Sequence, residues 1–148
     1  MKTTNYKISK QLKKNGLSEK LGFIDYYYNT DKQLRHRDQE SYCSTAKENT
    51  QVDCFSYDFE TILEALPKQH DFFSRGVGKY ELRIWYHQKK MFIGYQNFDG
   101  YDKLLTLEQE KNESLADIAA RLLILLHNKG LINCTCCCFC ERFSCVCG

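Results

Sequence analysis

Long apolar runs are missing from this 148-residue chain. No stretch approaches the roughly 18 uninterrupted apolar residues of a membrane-crossing helix, so no membrane span is expected. The opening segment, MKTTNYKISKQLKK, lacks the apolar core of a secretory signal, which makes the expected setting a reducing cytoplasm. Strong net charge is missing too: +2 at pH 7 gives no general reason to expect a nucleic-acid or membrane-surface protein. There is no internal repeat. The only phosphate-loop-like run, Gly76-Val77-Gly78-Lys79, lacks the GxxxxGK spacing and precedes an expected strand, so it reads as a turn.

What is present describes a folded domain. Hydrophobic residues make up 43% and aromatics 14% of the chain, which excludes disorder throughout, and the length suits one domain with its own core. Charge is uneven, since the first twenty residues hold six Lys against one Glu and the remainder is mildly acidic. Cysteine is more uneven still. Seven of nine cysteines (Cys134, Cys136, Cys137, Cys138, Cys140, Cys145 and Cys147) crowd the last fifteen residues.

Local patterns give an element order. Residues 6–15 form a short helix, with Ile8 and Leu12 on one side, lysines elsewhere and Gly16 at its end. Gly22–Tyr28 is an aromatic strand, residues 29–51 a polar loop with room for one weak strand, and Val52–Tyr57 returns to extended structure. Asp58 caps a helix that carries Phe59, Ile62, Leu63 and Leu66 on one stripe and stops at Pro67. After a turn at 74–79, Lys79–His87 alternates as a strand, with Tyr80, Leu82, Ile84 and Tyr86 on the face expected to meet the helices and Trp85 on the other. Gln88-Lys89-Lys90 turns it into Met91–Asn97, a hairpin without the Asn-Gly that would fix its register. The strongest element is Ser114–Lys129, with Ser114 and Asp117 at capping-box spacing, a broad apolar stripe, and Gly130 closing it before Leu131 and Ile132 tuck back. Antiparallel strands with helices on one face define an α+β two-layer sandwich over residues 1–132. Residues 133–148 are expected to be an appended, unpacked tail.

The runs ETILEALP, YELRIWYHQKKMFIGYQN and ESLADIAARLLILLHNKGLI together resemble small uncharacterised proteins encoded by bacteriophages and prophages. The shared plan is a helix ending near a proline, a hairpin and a closing amphipathic helix, over residues 6–132. The resemblance implies an accessory protein in a bacterial cytoplasm that acts on a host or phage protein, and it implies no active-site residue. The tail is not part of that plan.

Catalytic signatures are thin. His70-Asp71 lacks a scaffold of further ligands, and His36, His87 and His127 lie far apart in sequence. Cys43 or Cys54 beside a histidine would make a nucleophile pair only if the fold joined them. The expected function is therefore non-enzymatic protein binding. One alternative is a nucleic-acid module using Lys7, Lys10, Lys13 and Lys14 for phosphates, with Trp85, Lys89 and Lys90 as an aromatic-basic hairpin. A double-stranded-RNA domain has a similar outline, but the acidic Asn112-Glu113-Ser114 replaces its lysine-rich helix start. A second alternative is zinc or copper held by the three Cys-x-Cys pairs of the tail, which look like metallothionein segments and lack the spacing of structural zinc sites. Lipidation of the tail is a minor variant.

Overall fold

In the computed structural model the described residues are 2–21, 26–36, 52–70, 80–97 and 103–131. The cysteine tail, Cys43, Ile132 and the turn at 74–79 lie outside them.

The lysine-rich start forms helix α1, Tyr6–Lys14, because Asn5 supplies an N-cap whose Oδ1 accepts from Ile8 N at 2.9 Å. Gly16, at φ 73°, ends that helix in a conformation other residues adopt at a cost. A one-turn helix α2, Ser18–Leu21, follows. Strands β1 (Tyr26–Asn29), β2 (Leu34–His36) and β3 (Val52–Ser56) pair antiparallel in the order β2-β1-β3. The weak strand expected in the polar loop is β2.

Helix α3, Phe59–Ala65, begins at Asp58, whose side chain accepts from Thr61 N at 2.8 Å. Its C-cap Leu66 is extended, as the following proline requires. A second antiparallel sheet then assembles in the order β4 (Gln69–His70), β5 (Tyr80–His87), β6 (Lys90–Asn97) and β7 (Lys103–Glu108). Helix α4, Leu115–Asn128, closes the chain. Its capping box is complete, with Ser114 Oγ accepting from Asp117 N at 3.1 Å and Asp117 Oδ2 accepting from Ser114 N at 3.0 Å. Gly130 at φ 70° reverses the chain so that Leu131 N donates to Leu126 O at 2.9 Å.

The fold is α+β, and its core lies on one side of the larger sheet. Ile93 and Tyr95 of β6, Leu12 of α1, Ile62 of α3, and Ile118, Leu122 and Leu126 of α4 are all fully buried in one cluster. Tyr95 donates to Pro67 O at 2.8 Å, and burial pushes its hydroxyl well above the usual phenol value. The smaller sheet is tied to the N-terminus by polar groups. Thr4 is buried; its carbonyl accepts from Ser56 Oγ (2.6 Å) and Tyr28 OH (3.1 Å), and its N–H donates to Tyr57 O (2.9 Å).

Three sequence expectations change. The strands form two sheets, and β4 and β7 extend the hairpin on both sides; His70 has its backbone in β4. Of the supposed core face of β5, only Tyr80 is buried, with Ile84 36% and Tyr86 64% exposed. The reason is placement: α4 packs over β6 and β7, and β5 lies one strand further out. Finally, the hairpin turn is two residues long, because His87 pairs with Lys90.

That turn has Gln88 at φ 49° and Lys89 at φ 66°, both central residues left-handed as a type I′ turn demands. Two consecutive side-chain-bearing residues there are strained, by roughly 1–2 kcal/mol each. Replacing Gln88-Lys89 with Asn-Gly is expected to raise stability by about 1 kcal/mol in urea unfolding, and an unchanged or lower midpoint would contradict this turn geometry.

Candidate functional site

The β5–β6 hairpin is paired along its whole length, from Tyr80↔Asn97 to His87↔Lys90. Alternation then sends Trp85 and its partner Phe92 to the face away from α4, where the two rings stack with centroids 5.5 Å apart and planes 8° from parallel. On that face Arg83 pairs with Glu81 at 3.3 Å and Lys90 with Glu108 at 2.5 Å. On the other face Ile84 and Tyr86 are exposed. The end of the hairpin thus carries large apolar side chains on both faces.

Beside the turn lies an open cleft of about 820 Å³, lined by the turn, the end of β7, the following loop and α4. Arg121 organises it. Its Nε and Nη2 grip the Glu113 carboxylate at 2.5 and 2.8 Å, Nη2 also donates to Glu108 O at 2.7 Å, and Nη1 lies 3.6 Å from Glu110. The Glu113 contact, above all, holds the guanidinium still further above its usual value. Gln109 completes the wall: its Oε1 accepts from Met91 N at 3.1 Å and its Nε2 donates to Glu113 O at 2.7 Å. Lys89 and Lys111 also line the cleft, and neither has a carboxylate partner among the described residues.

The lysines grouped by sequence are separated by the fold. Lys7, Lys10, Lys13 and Lys14 belong to α1, which packs on β3 and α4, whereas Lys89 and Lys90 are at the hairpin turn. Several are already engaged. Lys10 Nζ is 2.9 Å from Asp53 Oδ1, Lys13 Nζ donates to Asp53 O at 2.6 Å, and Lys90 is paired with Glu108. Tyr6 OH donates to the other Asp53 oxygen at 2.5 Å, and Lys32 sits 5.4 Å from the centre of the Tyr6 ring. Cys134, Cys136, Cys137, Cys138, Cys140, Cys145 and Cys147 lie outside the described residues. Among the described residues no group of three or more His, Cys, Asp or Glu side chains is placed to hold a metal ion.

The Tyr6 and Lys10 contacts keep the Asp53 carboxyl below its ordinary 3.8. Because the folded value is the lower one, this contribution to stability is complete above the unfolded value. It disappears as pH falls through the folded value. An Asp53→Asn variant is therefore expected to lose less stability than the parent between neutral pH and strong acid, as followed by thermal melts. Parallel acid limbs would show that the contact contributes nothing. Nearby Cys54 is buried, and that burial pushes its thiol up to about 11, away from the thiolate that a nucleophile needs.

Sequence reasoning singled out Trp85, Lys89 and Lys90 but missed Tyr86, Lys111 and Arg121. The signal for the last two was weak: Lys103–Glu108, KLLTLE, is a strand whose Leu105 and Leu107 only partly join the core. These features define a small α+β protein with an exposed aromatic hairpin and a pre-built charged cleft. Comparison with known proteins finds no matching family, no similar curated protein and no similar solved structure.

Proposed function

We propose that this protein is a non-catalytic binding module that engages another protein through the end of its β5–β6 hairpin. The observation that carries this reading is the exposure of Tyr86 (64%) and Ile84 (36%) on a regular, fully paired hairpin. Rigid aromatic groups on paired strands offer large contact area at little conformational cost, which is the chemistry of protein interfaces. The stacked Trp85 and Phe92 stiffen the same element from its other face. The engagement of Lys10 and Lys13 by Asp53 and of Lys90 by Glu108 favours this reading over nucleic-acid binding, because those cations are already matched. The resemblance to phage-encoded accessory proteins makes a host or phage protein the partner.

Photo-crosslinking tests it. A benzophenone side chain in place of Tyr86 is expected to capture a discrete protein from bacterial lysate, and the same group in place of the exposed Lys7 of α1 is not. Equal capture at both positions, or capture of nucleic acid alone, would reject the hairpin as the interface.

A further inference from the structure

We infer that the cleft beside the hairpin turn seats an acidic segment of the partner, whose carboxylates lie between Lys89 and Lys111; this rests on the protein-binding reading above. Three observations on separate residues lead there. First, the carboxylates in and beside the cleft already face cations. Glu113 is held bidentate by Arg121, Glu108 by Lys90, and Glu110 sits at the long distance of 3.6 Å from Arg121. Two lining cations have no carboxylate partner among the described residues, Lys89 at the hairpin turn and Lys111 in the loop after β7. A cleft with matched walls and unmatched ammonium groups is complementary to an added carboxylate.

Second, the walls are built in advance. Arg121 of α4 holds the β7–α4 loop through the Glu113 carboxylate and the end of β7 through the Glu108 carbonyl, while Gln109 of the loop is bonded to Met91 of the hairpin. Little ordering is then needed when a ligand enters.

Third, the backbone is strained where the lining side chains begin. Lys89 is at φ 66° and Asn112 at φ 64°, and Gln88 precedes Lys89 at φ 49°. Asn tolerates that region, but Gln and Lys do not favour it, and Asn-Gly would make the same turn without strain. Strain retained at a surface turn indicates that the side chain is used. Tyr86, three residues before Lys89, offers the apolar contact that an acidic segment with one large hydrophobic residue would need.

The test uses the full chain and fluorescence anisotropy with three probes. These are a short glutamate-rich peptide containing leucine and tryptophan, the same peptide with glutamine for glutamate, and an oligothymidylate. The glutamate peptide is expected to bind about tenfold more tightly than its glutamine counterpart at low salt, with the gap narrowing as salt is raised. Lys89→Glu with Lys111→Glu should erase that gap. The Gln88→Asn/Lys89→Gly variant separates function from folding, because it should melt higher yet bind the glutamate peptide less tightly. Equal affinity for both peptides, no binding of either, tighter binding of the oligothymidylate, or a preference that survives the double charge reversal would each overturn the acidic-segment assignment. If the protein captured from Tyr86 is retained after that reversal while the peptide preference never appears, the hairpin interface stands and only its acidic partner is refuted.

Discussion

Replacing Asp117 with alanine is expected to destabilise the protein by about 3 kcal/mol, a fall in melting temperature of about 10 °C for a domain of this size. Asp117 is only 3% exposed, yet it lies in the first turn of the most apolar helix. Its Oδ1 accepts from Asn5 N at 2.7 Å and its Oδ2 from Ser114 N at 3.0 Å. One carboxylate therefore caps α4 and also receives the backbone at the start of α1, across more than a hundred residues of sequence. Alanine would leave both donors without their ionic acceptor, and charge-assisted bonds are worth about 1.5–3 kcal/mol each. Ser114→Ala, which removes only the cap, is expected to cost about 1 kcal/mol. Chemical denaturation of the two variants checks the difference, and equal losses would mean that the Asn5 contact contributes nothing.

The second large effect is expected at Gly94, in the middle of the larger sheet. β7 passes it with two residues against one: Ile93 pairs with Leu107 and Tyr95 with Leu104, so Leu105 and Thr106 together face Gly94. Leu105 takes φ 54° to make this bulge, a conformation that a β-bulge more often gives to glycine. The bulge brings the backbone so close that a Cβ on Gly94 would stand 2.7 Å from Thr106 Cα and 3.0 Å from Leu105 O. These are backbone atoms and cannot swing aside. Gly94→Ala is expected to cost about 2–3 kcal/mol and to shift the β6–β7 pairing, which amide exchange on β7 would register as faster than on β5. A variant as stable as the parent would show that the two strands separate easily.

Much of the fold follows from short-range chemistry. Asn5, Asp58 and Ser114 are side-chain acceptors placed at helix starts, and Gly16 and Gly130 are the residues that tolerate the left-handed helix exit. These features act within four or five residues, so they are visible in a linear string. The strand β7 was not visible, because the bulge at Leu105 breaks the alternation that identifies strands. The division into two sheets was not visible either, since strand partners are chosen by long-range contacts that no local pattern encodes.

The candidate site shows the same boundary at higher resolution. Alternation along Tyr80–His87 established which side chains share a face of β5, and the stacking of Trp85 on Phe92 respects that alternation. Alternation cannot say which half of a face is covered. Tyr80 is buried and Tyr86 exposed on one face of one strand, while α4 packs on β6 and β7 and leaves β5 one strand further out. Likewise, composition counts Lys10 and Lys90 as positive charge, whereas their carboxylate partners Asp53 and Glu108 are 43 and 18 residues away in sequence. Interactions between near neighbours make the α+β class, the helix ends and the faces of the hairpin legible in the residue order. Which apolar residues stay in water, and which lysines find a carboxylate, depends instead on what distant segments bring alongside.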